Sequence, residues 1–353
     1  MSPERRPFTL DLSRPLSTAD GTIEQRRGVL VGVERSVDGG TVRGVGEATP
    51  LPGWTESYDA CTDALREPPE AWQLVADTVG EERPSTPAAR HGYRLAVLDA
   101  AARAERRSLA ALLAERGGFP TPNESVPVNA TVGDGGVEET VAAAREAVAS
   151  GFDCLKLKVG AQSLNADLER VRAVRNAVDA AIRVDANGAW SPETAGEAVD
   201  ALGTIGVEYV EQPLPAEELS ELAALRGRGV AVAVDESIRD YGVDAVLDAG
   251  AADVAVLKPM ALGGPDAAID AAAALVDRGV DPVVTTTIDG AVARAAAVHV
   301  AAAVPGGRAG GLATGAMLAS DLGADPVPVV DGAIAVPDGP GSVGTAFDDL
   351  LWD

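Results

Sequence analysis

Lysine is nearly missing from this chain. Lys156, Lys158 and Lys258 are the only three in 353 residues, against 26 arginines. Arginine supplies the other cations, so a retained lysine points to something that guanidinium does not do. An ammonium can lose its proton near neutral pH, whereas guanidinium stays charged. Histidine is as scarce: His91 and His299 both fall within helical patterns and read as structural. Cys61 and Cys154 are too few for a disulfide framework and lack the C-x-x-C spacing of a zinc site, so both read as small buried apolar residues. No run of 18 or more apolar residues occurs, and a membrane-spanning helix is not expected. The polar first seven residues have no apolar stretch beside them, which argues against a secretory signal and for a cytoplasmic location.

Acid, by contrast, is abundant. The formal net charge is -25, spread along the chain rather than gathered in a tail. Such a field repels nucleic acid and anionic membrane, so neither is an expected partner. With so little lysine, the composition looks like that of a protein from a salt-loving cell, in which acidity solvates the surface. An apolar content of 46% is enough for a large core, in one large α/β domain or two unequal ones.

Residues 1–123 read as a mixed α+β capping domain. Strand-like runs at 28–34 and 41–47 flank the turn Asp38-Gly39-Gly40, a hairpin signal. Loops are expected at 15–21 and 48–57. A helical pattern follows from 87 to 115, and the glycines and prolines at 117–122 read as a domain boundary. A beat of roughly 25 residues then sets in, with strand-like runs at 126–132, 154–159, 181–185, 207–212, 230–235, 254–258, 283–287 and 311–314. Helical patterns separate them, one opened by Ser191 as cap and Pro192 in the first turn. Eight β-runs alternating with helices predict an α/β fold, a closed (β/α)8 TIM-type barrel over 124–326. The segment 327–353 has no place in the beat. It holds a hairpin around Asp331-Gly332 and is expected to return to the capping domain.

The chemistry gathers at the strand ends. Alternation puts Lys156 and Lys158 on one face of the second run, where each cation is expected to lower the pKa of the other. Asp185, Glu211 and Asp235 end the third, fourth and fifth runs, 26 and 24 residues apart, one βα unit each. Three converging carboxylates are costly without a cation among them. All-oxygen ligands of this kind suit Mg²⁺ or Mn²⁺. Lys158 and Lys258, on the second and sixth runs, flank the trio at the C-terminal rim where such barrels are active. A small-molecule carboxylate chelated by the ion would face one lysine with its α-proton, while the ion and the other ammonium would hold the enediolate. A lysine base must fall from about 10.4 to roughly 7–8, worth on the order of 3 to 5 kcal/mol.

The ordered set Lys156-Leu157-Lys158, Asp185-Ala186-Asn187, Glu211-Gln212-Pro213, Asp235-Glu236-Ser237 and Lys258-Pro259-Met260 resembles the enolase superfamily, in its muconate-lactonizing-enzyme subgroup. The resemblance implies a Mg²⁺ ion on Asp185, Glu211 and Asp235, with Lys158 and Lys258 on opposite faces of the substrate and Lys156 beside them. The mandelate-racemase branch needs a histidine at the seventh strand end, where this chain has Thr285-Thr286-Thr287. Within the subgroup, the signatures at 17–21, 26–28, 46–53 and 311–315 resemble the o-succinylbenzoate synthase family of menaquinone biosynthesis. That resemblance implies a dehydration in which Lys158 takes the α-proton and returns it to the leaving hydroxyl, while Lys258 stabilises the enediolate. It also implies supporting or substrate-contacting roles for Arg183 and Asn187, for Thr18 and Trp54 in loops that close over the substrate, and for Thr286, Thr287, Gly311 and Leu312 at the last strand ends. Rival readings within the subgroup are N-acylamino acid racemase, dipeptide epimerase and muconate cycloisomerase. Dipeptide epimerases carry an Asp-x-Asp at the eighth strand, which residues 311–315 lack. A Schiff-base aldolase would not need three carboxylates, and a retired barrel would not need both lysines and ligands intact. The pattern is compatible with a homo-oligomer but does not specify one.

Overall fold

The computed structural model describes residues 4–18, 21–38, 40–66 and 85–352, without the side chains of Ser17 and Thr18. Strands β1 (Glu4–Thr18), β2 (Gly21–Val37) and β3 (Gly40–Ala48) form an antiparallel sheet in that order. Strands β2 and β3 pair as the hairpin signal requires, Val37 lying opposite Gly40. Of the loop expected at 15–21, residues 15–18 and 21 are strand instead, and 19–20 lie outside the described residues: after a register shift beyond Asp11, Leu16 pairs with Ile23 and Thr18 with Gly21. The reason is apolar. Leu16 and Ile23 pack with Leu10, Leu12, Leu318 and Ile288, so this ribbon leans on the segment that follows the eighth barrel run.

Helix α1 (Tyr58–Ala64) follows, then α2 (Pro87–Ala104) and α3 (Leu109–Gly117). The single helical pattern expected over 87–115 is broken, because Arg106 takes a left-handed φ of 55° and Ser108 caps a new helix by accepting from Ala111 N. Helix α2 lies tightly on β3. A Cβ on Gly46 would stand 1.9 Å from the Gly92 carbonyl oxygen, so only glycine allows this approach.

From 125 onward the elements are β4 (Ser125–Pro127), β5 (Ala130–Val132), α4 (Val137–Ala149), β6 (Cys154–Lys158), α5 (Leu164–Ala177), β7 (Ala181–Asp185) and α6 (Pro192–Ile205). They continue as β8 (Tyr209–Glu211), α7 (Leu219–Leu225), β9 (Ala231–Val234), α8 (Glu236–Ala249), β10 (Val254–Leu257), α9 (Pro259–Leu262), α10 (Pro265–Asp277), β11 (Asp281–Val284) and α11 (Ala291–Ala303). Strands β5 to β11 are parallel neighbours in chain order. The eighth run is only a pair of bridges, yet it shuts the ring: Gly311 bridges Thr285 and Gly310 bridges Val128, both parallel. Gly311 is glycine because a Cβ there would meet Thr285 Oγ1 at 2.3 Å.

Strand alternation sorts the barrel side chains. Leu155, Leu157, Ile182, Val184, Val210, Val232 and Val234 belong to the main core with the helices. Tyr209, Ala233, Val254 and Val283 form a separate small cluster. Helices α5 and α6 start where Ser163 and Ser191 accept from the third backbone N–H beyond them, and Pro192 opens α6 as expected.

Two expectations need correction. The run 126–132 is divided: β5 enters the barrel, whereas β4 pairs antiparallel with β13 (Ala333–Ala335), which pairs in turn with β12 (Val329–Val330). The hairpin around Asp331-Gly332 therefore does not return to the β1–β3 sheet. It is held at the N-terminal end of the barrel, where Val128 N donates to Gly332 O. Only the later tail reaches the first sheet: Arg6 Nη1 donates to Leu350 O at 2.9 Å, and Arg43 lies 4.9 Å over the Trp352 ring. Among the described residues, no helix is long and apolar enough to cross a membrane.

Candidate active site

Five neighbouring strands deliver the polar cluster at the barrel mouth. Parallel register sets Lys158 beside Asp185, and Asp185 beside Glu211. Asp235 and Lys258 each follow directly on the last residue of β9 and β10. Strands β6 and β10 stand four places apart in a ring of eight, so Lys158 and Lys258 rise from opposite sides. The three carboxylates are buried.

Lysines stand among them. Lys156 Nζ lies 2.8 Å from Asp185 Oδ2 and 2.6 Å from Glu211 Oε1. Lys158 Nζ donates to Asp185 Oδ2 at 2.8 Å and to Asn187 Oδ1 at 2.7 Å. Lys258 Nζ donates to Asp235 Oδ2 at 2.5 Å and sits 3.1 Å above the Trp54 ring centre. The ammonium groups pair with the carboxylates of the expected ligand trio. Lys156 does not show the expected lowering of its pKa. Burial works to lower its pKa, but Asp185 and Glu211 outweigh burial and raise it well above its ordinary value.

The carboxylates divide accordingly. Burial would raise Asp185, but Lys156 and Lys158 hold it below the usual range. Burial, and next the charge of Asp185, push Glu211 up to about 7. Asp235 is also raised, by burial opposed by Lys258. Glu211 Oε2 is buried without a hydrogen-bond partner, an expensive state unless a cation or water reaches it. Oxygen donors from three adjacent strands, one of them unpaired, fit a hard divalent cation.

The supporting residues separate into those at the mouth and those elsewhere. Asn187, in a left-handed conformation, accepts from Lys158 and donates through Nδ2 to Glu236 Oε1 at 3.1 Å. Trp54 brings the 48–56 loop over Lys258. Thr286 and Thr287 are buried, the first bonded to Thr314 and the second to Asp289. Arg183 does not orient the carboxylates: its Nε bonds Glu208 at 2.7 Å, its Nη1 bonds Ala309 O at 2.5 Å, and it lies over Tyr209. It is one layer down the barrel. Leu312 is fully buried in the main core, so its side chain is packing rather than mouth, and Gly311 serves the ring closure. The Thr18 side chain lies outside the described residues.

Residues 139–349 match the Enolase C-terminal domain-like family. The chain belongs to the enolase superfamily. Within that superfamily it is 42% identical over 227 residues to the o-succinylbenzoate synthase of Thermobifida fusca, an alignment covering 62% of this chain and 69% of that protein. Its fold is similar to the muconate lactonizing enzyme of Pseudomonas fluorescens complexed with muconolactone, with a TM-score of 0.84, 25% identity, and coverage of 99% of this chain and 97% of the other. It is also similar to the dipeptide epimerase of Methylococcus capsulatus complexed with Mg and the dipeptide L-Arg-D-Lys, with a TM-score of 0.82, 28% identity, and coverage of 96% and 98%.

Several residues of this superfamily member carry more than their motifs suggested. Gln212, beside Glu211, has a positive φ of 39° and accepts from both Asp235 N and Ser237 N, fixing the backbone after β9. Glu236 has a buried Oε2 without a partner. Their adjacency to the carboxylates was the available signal. Glu47 accepts from Gly290 N at 2.7 Å and Ala293 N at 2.9 Å, at the start of α11, and burial followed by Asp289 pushes it up to about 7. Arg26 donates to the carbonyls of Thr49, Pro50 and Ile288, tying the Trp54 loop to the loop after the seventh strand.

Proposed function

We propose that this chain is an o-succinylbenzoate synthase, a lyase that removes water from 2-succinyl-6-hydroxy-2,4-cyclohexadiene-1-carboxylate to leave 2-succinylbenzoate. The observation that carries this reading is its 42% identity to the Thermobifida fusca synthase, and the opposed lysines across three carboxylates support it. The expected setting is cytoplasmic menaquinone biosynthesis, with residues 1–123 as a cap over the barrel of 124–326.

Asp185, Glu211 and Asp235 would hold Mg²⁺, with Mn²⁺ as the alternative, and the ion supplies positive charge to the substrate carboxylate as the enediolate develops. Lys158 takes the proton from the carbon bearing that carboxylate, and the C–H electron pair enters the enediolate. Its side chain is 36% exposed, open enough to meet a substrate. The pair then returns to the ring as the C–O bond breaks, Lys158 gives its proton to the departing hydroxide, and water leaves from the same face. Lys258, seated between Asp235 and the Trp54 ring, faces the enediolate as a fixed ammonium. Asn187 accepts from the Lys158 amine alongside Asp185 and steadies it.

The rivals within the subgroup use the same groups, with both lysines as bases in the racemases. Purified protein incubated in deuterated water with the cyclohexadiene, and separately with an N-succinylamino acid, separates them. Rapid aromatisation with little α-deuterium exchange into the amino acid supports the synthase. Efficient exchange with no dehydration refutes it.

A further inference from the structure

We infer that Arg239, stacked on Trp54 at the edge of the site, is the specificity residue that receives the distal carboxylate of the substrate's succinyl tail. This rests on the synthase reading, whose substrate carries two carboxylates. The ring carboxylate belongs at the reactive centre; the tail needs a second cation. A narrow gap of about 10 Å³, room for no more than a water, is lined by Trp54, Asp235, Ile238, Arg239, Lys258 and Leu262 beside the centre. A wider cleft of about 570 Å³ shares Trp54, Ile238, Arg239 and Leu262 with it and opens toward Glu56 and Pro87.

Trp54 sets an upper bound on the distance between the two cations. Lys258 Nζ is 3.1 Å from its ring centre and Arg239 Cζ is 4.9 Å from the same centre, so the two lie no more than about 8 Å apart. Six bonds separate the two carboxylate carbons of the substrate, which spans about 7 Å when extended. Asp240 engages Nε and Nη2 of Arg239 at 2.5 and 2.7 Å. It thereby holds the fork in place and leaves the Nη1 edge without a hydrogen-bond partner among the described residues. Arg239 is a quarter exposed and bonds none of the three strand-end carboxylates. Its Nη1 edge is therefore the guanidinium donor of the cleft left for a ligand, the rest of the group being paired with Asp240.

The test compares the cyclohexadiene substrate with its analogue bearing a primary amide in place of the tail carboxylate. In Arg239→Gln, KM for the acid should rise about tenfold to a hundredfold with kcat within threefold, as expected when a charge-assisted contact is lost equally from ground and transition states. The amide should be handled alike by wild type and variant, and Arg239→Lys should recover part of the loss. An equal loss on both substrates, or no change on the acid, overturns the inference. Should the wild type leave the cyclohexadiene untouched, the reaction assignment fails. Calorimetry with 2-succinylbenzoate and its tail amide then decides Arg239 alone: a preference for the acid of about tenfold that vanishes in Arg239→Gln supports it, and no preference overturns it.

Discussion

Lys158 and Lys258 differ in what surrounds them more than in chemistry. Lys158 is the more open of the two, with a neutral amide as one of its partners, while Lys258 is enclosed by an anion and an aromatic face. Replacing Lys158 by arginine keeps a cation but removes the base, so kcat should fall roughly a thousandfold or more while the melting curve is retained. A rate within tenfold of wild type would take Lys158 out of that role. Asp235→Asn should weaken Mg²⁺ binding in a calorimetric titration, and an unchanged isotherm would refute the ligand assignment. His299 offers a test away from the site. Its Nδ1 accepts from Ala110 N and its Nε2–H donates to Ser342 O, which specifies a neutral ring, and burial pushes its pKa down to about 4. The folded state therefore binds fewer protons than the unfolded one between pH 6.5 and 4, so this contribution is full above 6.5 and lost as pH falls, in total roughly 3 kcal/mol. Melting temperatures at pH 7 and 5 should show a smaller drop in His299→Gln than in wild type. Scarcity made the lysines legible. Period-two alternation also shows why consecutive Gly311 and Leu312 could not both face the mouth, and why Arg183, two residues before Asp185, sits about 7 Å lower on the same face, where Glu208 pairs with it.

At the level of elements, the contact of α2 with β3 is the least forgiving. Gly46→Ala would drive a methyl into the Gly92 carbonyl and should cost at least about 2 kcal/mol in a urea titration, since backbone cannot yield as a side chain can. A loss below 0.5 kcal/mol, on the order of an ordinary surface change, would show that the helix can shift. The break between α2 and α3 was not legible from periodicity, because the apolar stripe runs on either side of a single left-handed residue, Arg106. The polar residues at 15–21 read as a loop and hide the Leu16–Ile23 pair that anchors the end of the β1–β2 ribbon.

For the whole molecule, the eightfold beat of strands was readable, since apolar β-runs recur at a spacing of roughly 25 residues and five consecutive ones end in charge. The destination of the 328–336 hairpin was not, since its partner strand is chosen by tertiary contacts around Gly332 rather than by its own sequence. A net charge of -25 repels itself across the surface, and the screening length falls from about 10 Å at 0.1 M salt to 3 Å at 1 M. The melting temperature should therefore rise by at least about 5 °C over that range in KCl, roughly 4 kcal/mol for a molecule of this size; a flat or falling profile would contradict the self-repulsion argument. The bridge from Val128 to Gly310 carries a different consequence, one for biogenesis. Roughly 180 residues must leave the ribosome after Val128 before its partner exists, about ten to forty seconds of synthesis. Throughout that interval β5 is an unpaired edge, open to strand addition by another nascent chain. Slower growth at lower temperature should accordingly improve soluble yield, by diluting the half-built cylinders against one another.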